Sequence, residues 1–150
     1  MAPRRSPASA APLWGGLAPG ARVFVDSAPF IYVLEDHPVF APRFLGLFEA
    51  AAAGQLHILL STITVAEVLT GPHKAGRAAL AKRYETALCE YEVLNVTVSV
   101  AALAAQMRSQ YRLRLPDALQ LAAALESGAH AFVTHDRDFA AVDAIAVLTG

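Results

Sequence analysis

ARVFVDSAPFIYVLE, residues 21–35, holds a short buried strand, the helix that follows it, and an acid at the joint. Arg22–Val25 reads as a strand because Val23, Phe24 and Val25 form an unbroken apolar run, the pattern of a strand covered on both faces. Asp26 ends it, and Pro29 to Glu35 reads as a helix. The alternation continues downstream. Val39–Ala53 reads as a helix closed by Gly54, and His57–Leu60 as a second strand. Ser61 or Thr62 then caps a helix to about Leu69, which Gly71-Pro72 is expected to stop. Ala75–Glu90 is a polar-faced helix, Tyr91–Val96 a third strand, and Val98–Tyr111 a helix with Leu103 and Met107 in register. Pro116 suits a first helical turn, Leu121, Ala122 and Leu125 form an apolar stripe behind it, and Gly128 ends that helix. Ala131–Thr134 and Ala144–Leu148 complete five strands. Strands that alternate with helices in this way predict an α/β fold, a parallel sheet covered on both faces.

With 150 residues the chain is the size of one domain, and no linker or internal repeat divides it. Residues 1–20 differ from the rest: Arg4 and Arg5, no acid, and many Ala, Pro and Gly. Pro and Gly interrupt any leader-like apolar segment, so residues 1–20 are expected to form a tail outside a domain spanning 21–150. No apolar run approaches a bilayer span, and a soluble, cytoplasmic protein is expected. The single Cys89 excludes an internal disulfide and is read as a small core residue in a reducing compartment. Twelve Lys and Arg against 13 Asp and Glu give a net charge of −1, which argues against a protein that coats nucleic acid through a broad basic surface.

Parallel α/β sheets build their sites beyond the carboxyl ends of the strands. Asp26 follows the first strand, Glu67 lies in the helix after the second, and Asp136 follows the fourth, with Asp138 two residues on. Asp117 is in the first turn of the helix leading to that fourth strand. Taken singly, each has an ordinary explanation as a helix-dipole partner, a cap or a turn residue. Glu67 is the hardest to explain so, because Val65, Ala66, Val68 and Leu69 surround it in sequence. Taken together, carboxylates converging on one sheet edge repel each other unless cations intervene. A hard divalent ion such as Mg²⁺, with oxygen ligands, answers that repulsion and suits phosphodiester chemistry. No Ser-His-Asp signature, Gly-rich phosphate loop or zinc-spaced His pair competes.

Four segments carry a resemblance. Val23-Phe24-Val25-Asp26-Ser27 with Ile31-Tyr32 resembles the opening of PIN domains, and Ser61-Thr62-Ile63-Thr64-Val65-Ala66-Glu67 their second motif. Arg114-Leu115-Pro116-Asp117-Ala118-Leu119-Gln120-Leu121-Ala122-Ala123-Ala124 is similar to the third, and Phe132-Val133-Thr134-His135-Asp136-Arg137-Asp138-Phe139 to the fourth. The match runs in order from Ala21 to about Leu148, and the branch most similar is that of the VapC-type toxins. The resemblance implies a three-layer α/β/α sandwich with a mainly parallel five-stranded sheet. It implies a metal pocket of Asp26, Glu67, Asp117 and Asp136, with Mg²⁺ or Mn²⁺ as cofactor. The implied activity is endoribonucleolytic, the toxin half of a type II toxin–antitoxin pair. RNA is then the substrate, a small cognate antitoxin the partner, and a homodimer the assembly. Ser27 stands where threonine is usual and keeps the hydroxyl. Ser27 and Thr134 are accessory candidates; Asp138 is a fifth acid near the metal or, preferentially, a cap.

Arg112, Arg114 and Arg137 flank the acids and are candidates for holding RNA phosphates, weighed against solvated helix faces. Arg108 is balanced the same way. Lys74, Arg77, Lys82 and Arg83 read as surface charge or an antitoxin contact. The five histidines, His135 included, read as structural or solvent-facing. Phe30, Tyr32 and Phe44 read as core, with a dimer or antitoxin groove as the second option. A haloacid-dehalogenase-like phosphatase fails because Phe139 stands where a small or hydroxylated residue is wanted. A receiver domain fails because Ser27 follows Asp26 and no lysine occurs after Lys82. Two alternatives stay open: a PIN fold that binds RNA or a partner without cutting, and a PIN nuclease in RNA processing outside a toxin pair.

Overall fold

A computed structural model describes residues 12–150. Five strands, β1 (Arg22–Val25), β2 (His57–Ser61), β3 (Glu92–Leu94), β4 (Ala131–Val133) and β5 (Ala146–Leu148), form one parallel sheet in the order β3-β2-β1-β4-β5. The first three strands are laid outward from the centre. The chain then crosses back to set β4 against the other side of β1, so the strand order reverses between β1 and β4. Ligands of open α/β sheets bind at such a reversal.

Six helices cover the sheet: α1 (Ser27–Leu34), α2 (Ala41–Ala52), α3 (Thr62–Lys74), α4 (Ala78–Leu88), α5 (Val98–Tyr111) and α6 (Leu115–Glu126). Successive strand residues point to opposite faces. Val23, Val25, Ile58, Leu60 and Val133 pack with Phe30, Phe44, Leu47, Val68 and Leu88 of α1–α4. Phe24, Leu59 and Phe132 pack on the other face with Val100, Ala104, Met107 and Leu121 of α5 and α6. Phe24 and Phe132 stack across the central pair, centroids 5.6 Å apart. Fully buried Ala118, Ala122 and Ala124 let α6 lie close to its neighbours. The expected three-layer α/β/α sandwich is the fold observed.

Three local expectations are corrected. Helix α3 does not stop at Gly71-Pro72 but runs through it to Lys74. Proline forfeits one intrahelical donor, yet here it falls in the last turn with its ring buried. The amides of Ala75 and Arg77 bond the carbonyls of Gly71 and Pro72. Cys89 is exposed at the end of α4, not in the core, because buried Leu88 takes the inward position. The expected tail of residues 1–20 lies outside the described residues over 1–11, and from Leu13 the chain packs on the α1–α4 face. Leu17 is buried, and Trp14, in a 3-10 turn over Trp14–Gly16, lies 6.0 Å from Phe44 and donates from Nε1 to the Arg43 carbonyl. Among the described residues no helix is long and apolar enough to cross a membrane.

Candidate active site

The reversal between β1 and β4 brings Asp26 and Thr134 together. The chain leaves β1 at Asp26, whose amide donates to the Val133 carbonyl at 2.8 Å and so holds the joint to β4. Asp26 is then the N-cap of α1. Its Oδ1 accepts from the Ser27 amide at 2.8 Å, satisfying a helix-end donor, and its Oδ2 accepts from Thr134 Oγ1 at 2.8 Å. Thr134 in turn accepts from the Asp136 amide at 3.0 Å. One buried hydroxyl therefore ties the acid after β1 to the acid after β4.

Asp117 enters from α6. Pro116, within the first two helical positions, starts that helix with no donor wasted, and Asp117 sits in its first turn, 8% exposed. Asp117, Asp136 and Asp138 each offer an oxygen within 4.8 Å of the others. Asp138 was expected to act as the cap. The capping acid is instead Asp136, whose Oδ1 accepts from the Asp138 amide at 2.9 Å, and the Asp138 carboxylate joins the cluster. Asp26 is not one of this closest trio; it adjoins it through the charges of Asp117 and Glu67.

Glu67 does not occupy the apolar setting its sequence neighbours suggested. It is exposed on α3, while Val68 beside it is buried. What orders it is Ser27, whose Oγ donates to Glu67 Oε1 at 2.9 Å. Behind Ser27 lies a fully buried residue that the sequence reading did not single out. Gln120 Nε2 donates to Ser27 Oγ at 3.2 Å and to Thr64 Oγ1 at 2.8 Å, while its Oε1 accepts from Ser61 Oγ at 2.6 Å. With both amide hydrogens and the carbonyl engaged, the Gln120 orientation is set, and Ser27, as acceptor from Gln120, directs its own proton to Glu67. A signal for Gln120 existed: it is a polar residue three positions after Asp117, on the buried side of an otherwise apolar stripe.

The electrostatics follow from this crowding. Burial pushes the Asp26 carboxyl up to about 6, the bonds from Ser27 and Thr134 pull it back in part, and Glu67 and Asp117 raise it further. Burial likewise raises Asp117, against the lowering effect of Arg114. Arg114, the N-cap residue of α6, bonds Asp117 Oδ2 from Nε at 3.2 Å and reaches Asp136 Oδ2 at 3.7 Å. It is therefore engaged with the acids while remaining largely exposed. Arg137 is exposed beside Asp136, and Arg112, in the left-handed conformation at φ 56°, turns the chain from α5 toward α6. Neither forms an ion pair among the described residues. One guanidinium against five carboxylates leaves a net negative pocket of hard oxygen donors, a set that could hold a divalent cation.

The sequence matches the family model described as the PIN domain over residues 23–145. Among solved structures, a toxin–antitoxin complex from Klebsiella pneumoniae aligns at 26% identity and TM-score 0.65, covering 85% of this chain and 96% of that one. A VapBC complex from Rickettsia felis, bound to a fragment of its promoter DNA, aligns at 16% identity and TM-score 0.69, covering 85% and 98%. A sarcin–ricin-loop-cleaving VapC toxin from Mycobacterium tuberculosis aligns at 16% identity and TM-score 0.62, covering 79% and 93%. The latter two are similar in fold. No curated protein sequence matches the chain significantly.

Proposed function

The chain belongs to the PIN-domain family, and from that membership we propose that it is a divalent-metal-dependent endoribonuclease, the toxin of a type II toxin–antitoxin pair. The observation that carries the proposal is the convergence of Asp26, Asp117, Asp136 and Asp138, with Glu67 tethered beside them, at the strand-order reversal. The Klebsiella complex supports the toxin assignment, and with it a small antitoxin as partner. A homodimer is part of the same reading.

Asp26, Asp117 and Asp136 would hold Mg²⁺ or Mn²⁺, with Asp138 in reach and Glu67 binding directly or through water. A divalent cation there supplies charge neutralisation and Lewis acidity to phosphodiester hydrolysis. The protein's own part is positional. Thr134 orients Asp26, Gln120 and Ser27 orient Glu67, and Arg114 keeps Asp117 turned toward Asp136. Glu67 Oε2 makes no hydrogen bond among the described residues and is left to accept one from the attacking water. Water adds across the P–O3′ bond: its oxygen joins phosphorus, a proton goes to the departing 3′ oxygen, and the products carry a 5′-phosphate and a 3′-hydroxyl. Arg112 and Arg137, exposed and without an ion pair among the described residues, would meet flanking phosphates.

The test is cleavage of a mixed RNA pool with Mg²⁺ or Mn²⁺, with EDTA, and with Asp26→Asn and Asp117→Asn variants. Cleavage should vanish in EDTA and fall at least about a thousandfold in each variant, with the circular-dichroism spectrum unchanged. Full activity in both variants would overturn the assignment. Folded, antitoxin-free protein that cuts nothing would favour an RNA-binding module.

A further inference from the structure

Beside the acids, a groove of about 690 Å³ is lined by Tyr32, Phe40, Arg43, His135, Asp136 and Arg137. It is a different space from the carboxylate cluster, and Asp136 borders both. Its rings form a group. Phe40 lies 4.7 Å from His135 and 4.9 Å from Tyr32, centroid to centroid, and Tyr32 Oη bonds His135 Nδ1 at 2.9 Å. Tyr32 was expected in the core, with a groove as the second option, and His135 in a structural or solvent-facing role. Both, and Phe40 with them, are half-buried, whereas Phe44, one turn further along α2, is completely buried. Two exposed arginines line the groove with these rings. Arg43 lies 6.0 Å over the Phe40 ring and bonds the Gly150 carbonyl, and Arg137 follows Asp136.

Half-exposed rings held in place, with two guanidinium groups in the same groove, match one ligand chemistry. Flat aromatic groups stack on rings or guanidinium planes, and the attached phosphates pair with arginine. A bare phosphate has no use for three rings, and a purely apolar ligand has none for Arg43, Arg137 and Asp136. Bases inside a duplex are stacked on each other and cannot enter such a groove, so the occupant is an unstacked base. The volume is ample for one nucleotide.

We propose that this groove is a nucleotide subsite, taking one unpaired base of single-stranded RNA next to the phosphate at the acid cluster. The proposal rests on the nuclease reading and adds to it a base-binding subsite beside the acids. In the Asp117→Asn background, with EDTA, the probes are an adenylate RNA dodecamer and its fully abasic counterpart, read by fluorescence anisotropy. Phe40→Leu keeps apolar bulk against Tyr32 but removes the ring. It should weaken adenylate binding about tenfold and abasic binding less than about twofold, while Phe40→Trp stays near the parent. Arg137→Ala should weaken both probes alike. Equal effects of Phe40→Leu on both probes, or none on either, would overturn the subsite, as would a Phe40→Trp loss matching that of Phe40→Leu. Cleavage of the mixed pool by the unmodified chain reports separately. Cleavage with binding indifferent to Phe40 keeps the nuclease and removes the subsite; base-dependent binding without cleavage does the reverse.

Discussion

Gln120 carries no charge, yet three hydroxyls depend on it: Ser61, Ser27 and Thr64 all find a partner in its amide. No buried side-chain polar atom lacks a partner among the described residues, so removing this amide would create the first. Gln120→Leu, of similar volume, should lower stability by about 2–3 kcal/mol through the hydroxyls it strands, and should release Glu67 by freeing Ser27. Ser27→Ala cuts the chain at its last link. Cleavage should fall about tenfold, roughly the worth of one charge-assisted hydrogen bond, while Ser27→Thr, which keeps the hydroxyl, should cleave like the parent. If Ser27→Ala cleaves at the parental rate, Glu67 does not need its tether. Asp26 and Asp136 were legible in the sequence because Asp soon after a strand end is a local pattern, and Asp117 because it follows a helix-starting proline. Gln120 was not, since its partners lie 56, 59 and 93 residues away. Glu67 was noticed for apolar neighbours in sequence that, on a helix, lie on other faces. The cap fell to Asp136 and not Asp138, because both suit one and only the backbone decides between them.

The strands and helices were readable in order because each element carries its own period: apolar runs for buried strands, stripes for helices. Errors occurred where a local rule met a tertiary contact. Gly71-Pro72 has the composition of a stop, but one missing amide in a last turn is tolerated when the proline ring is buried. The segment before Ala21 has the composition of a tail, and a three-residue turn is too short to show a period. Only its apolar residues, Leu13, Trp14 and Leu17, hint at packing. That contact can be weighed. Trp14→Ala removes a half-buried indole and its bond to Arg43, and should cost about 2 kcal/mol in urea denaturation. Gly15→Ala should cost about 1 kcal/mol, because Gly15 sits at φ 62° and an added Cβ would meet Leu148 Cδ1 at 3.1 Å. No loss of stability in either variant would mean that this turn melts independently of the sheet.

Over the whole molecule, positive and negative charges nearly cancel, yet the acids gathered at one end of the sheet leave the metal-free fold under local repulsion. Stability should show it, and the sign can be derived. Asp26 has a folded pKa of about 6 against an ordinary 3.8, so the folded protein binds this proton more tightly than the unfolded chain does. The resulting stabilisation is complete below about pH 4 and disappears as pH rises through about 6, a change on the order of 3 kcal/mol for this one group. Asp117, also raised, acts in the same direction. In EDTA the parent should therefore lose stability, relative to Asp26→Asn, between about pH 4 and pH 7, because asparagine has no proton to give up. Excess Mg²⁺ at neutral pH should raise the melting temperature of the parent, since a ligand that binds only the folded state stabilises it, and should do far less for Asp26→Asn. Scanning calorimetry of both proteins, with EDTA and with Mg²⁺, separates the two effects. Parallel pH profiles for parent and variant in EDTA would mean that Asp26 titrates normally. A Mg²⁺ shift that survives Asp26→Asn would assign the cation to Asp117, Asp136 and Asp138 alone, the three acids whose oxygens already lie within 4.8 Å of one another.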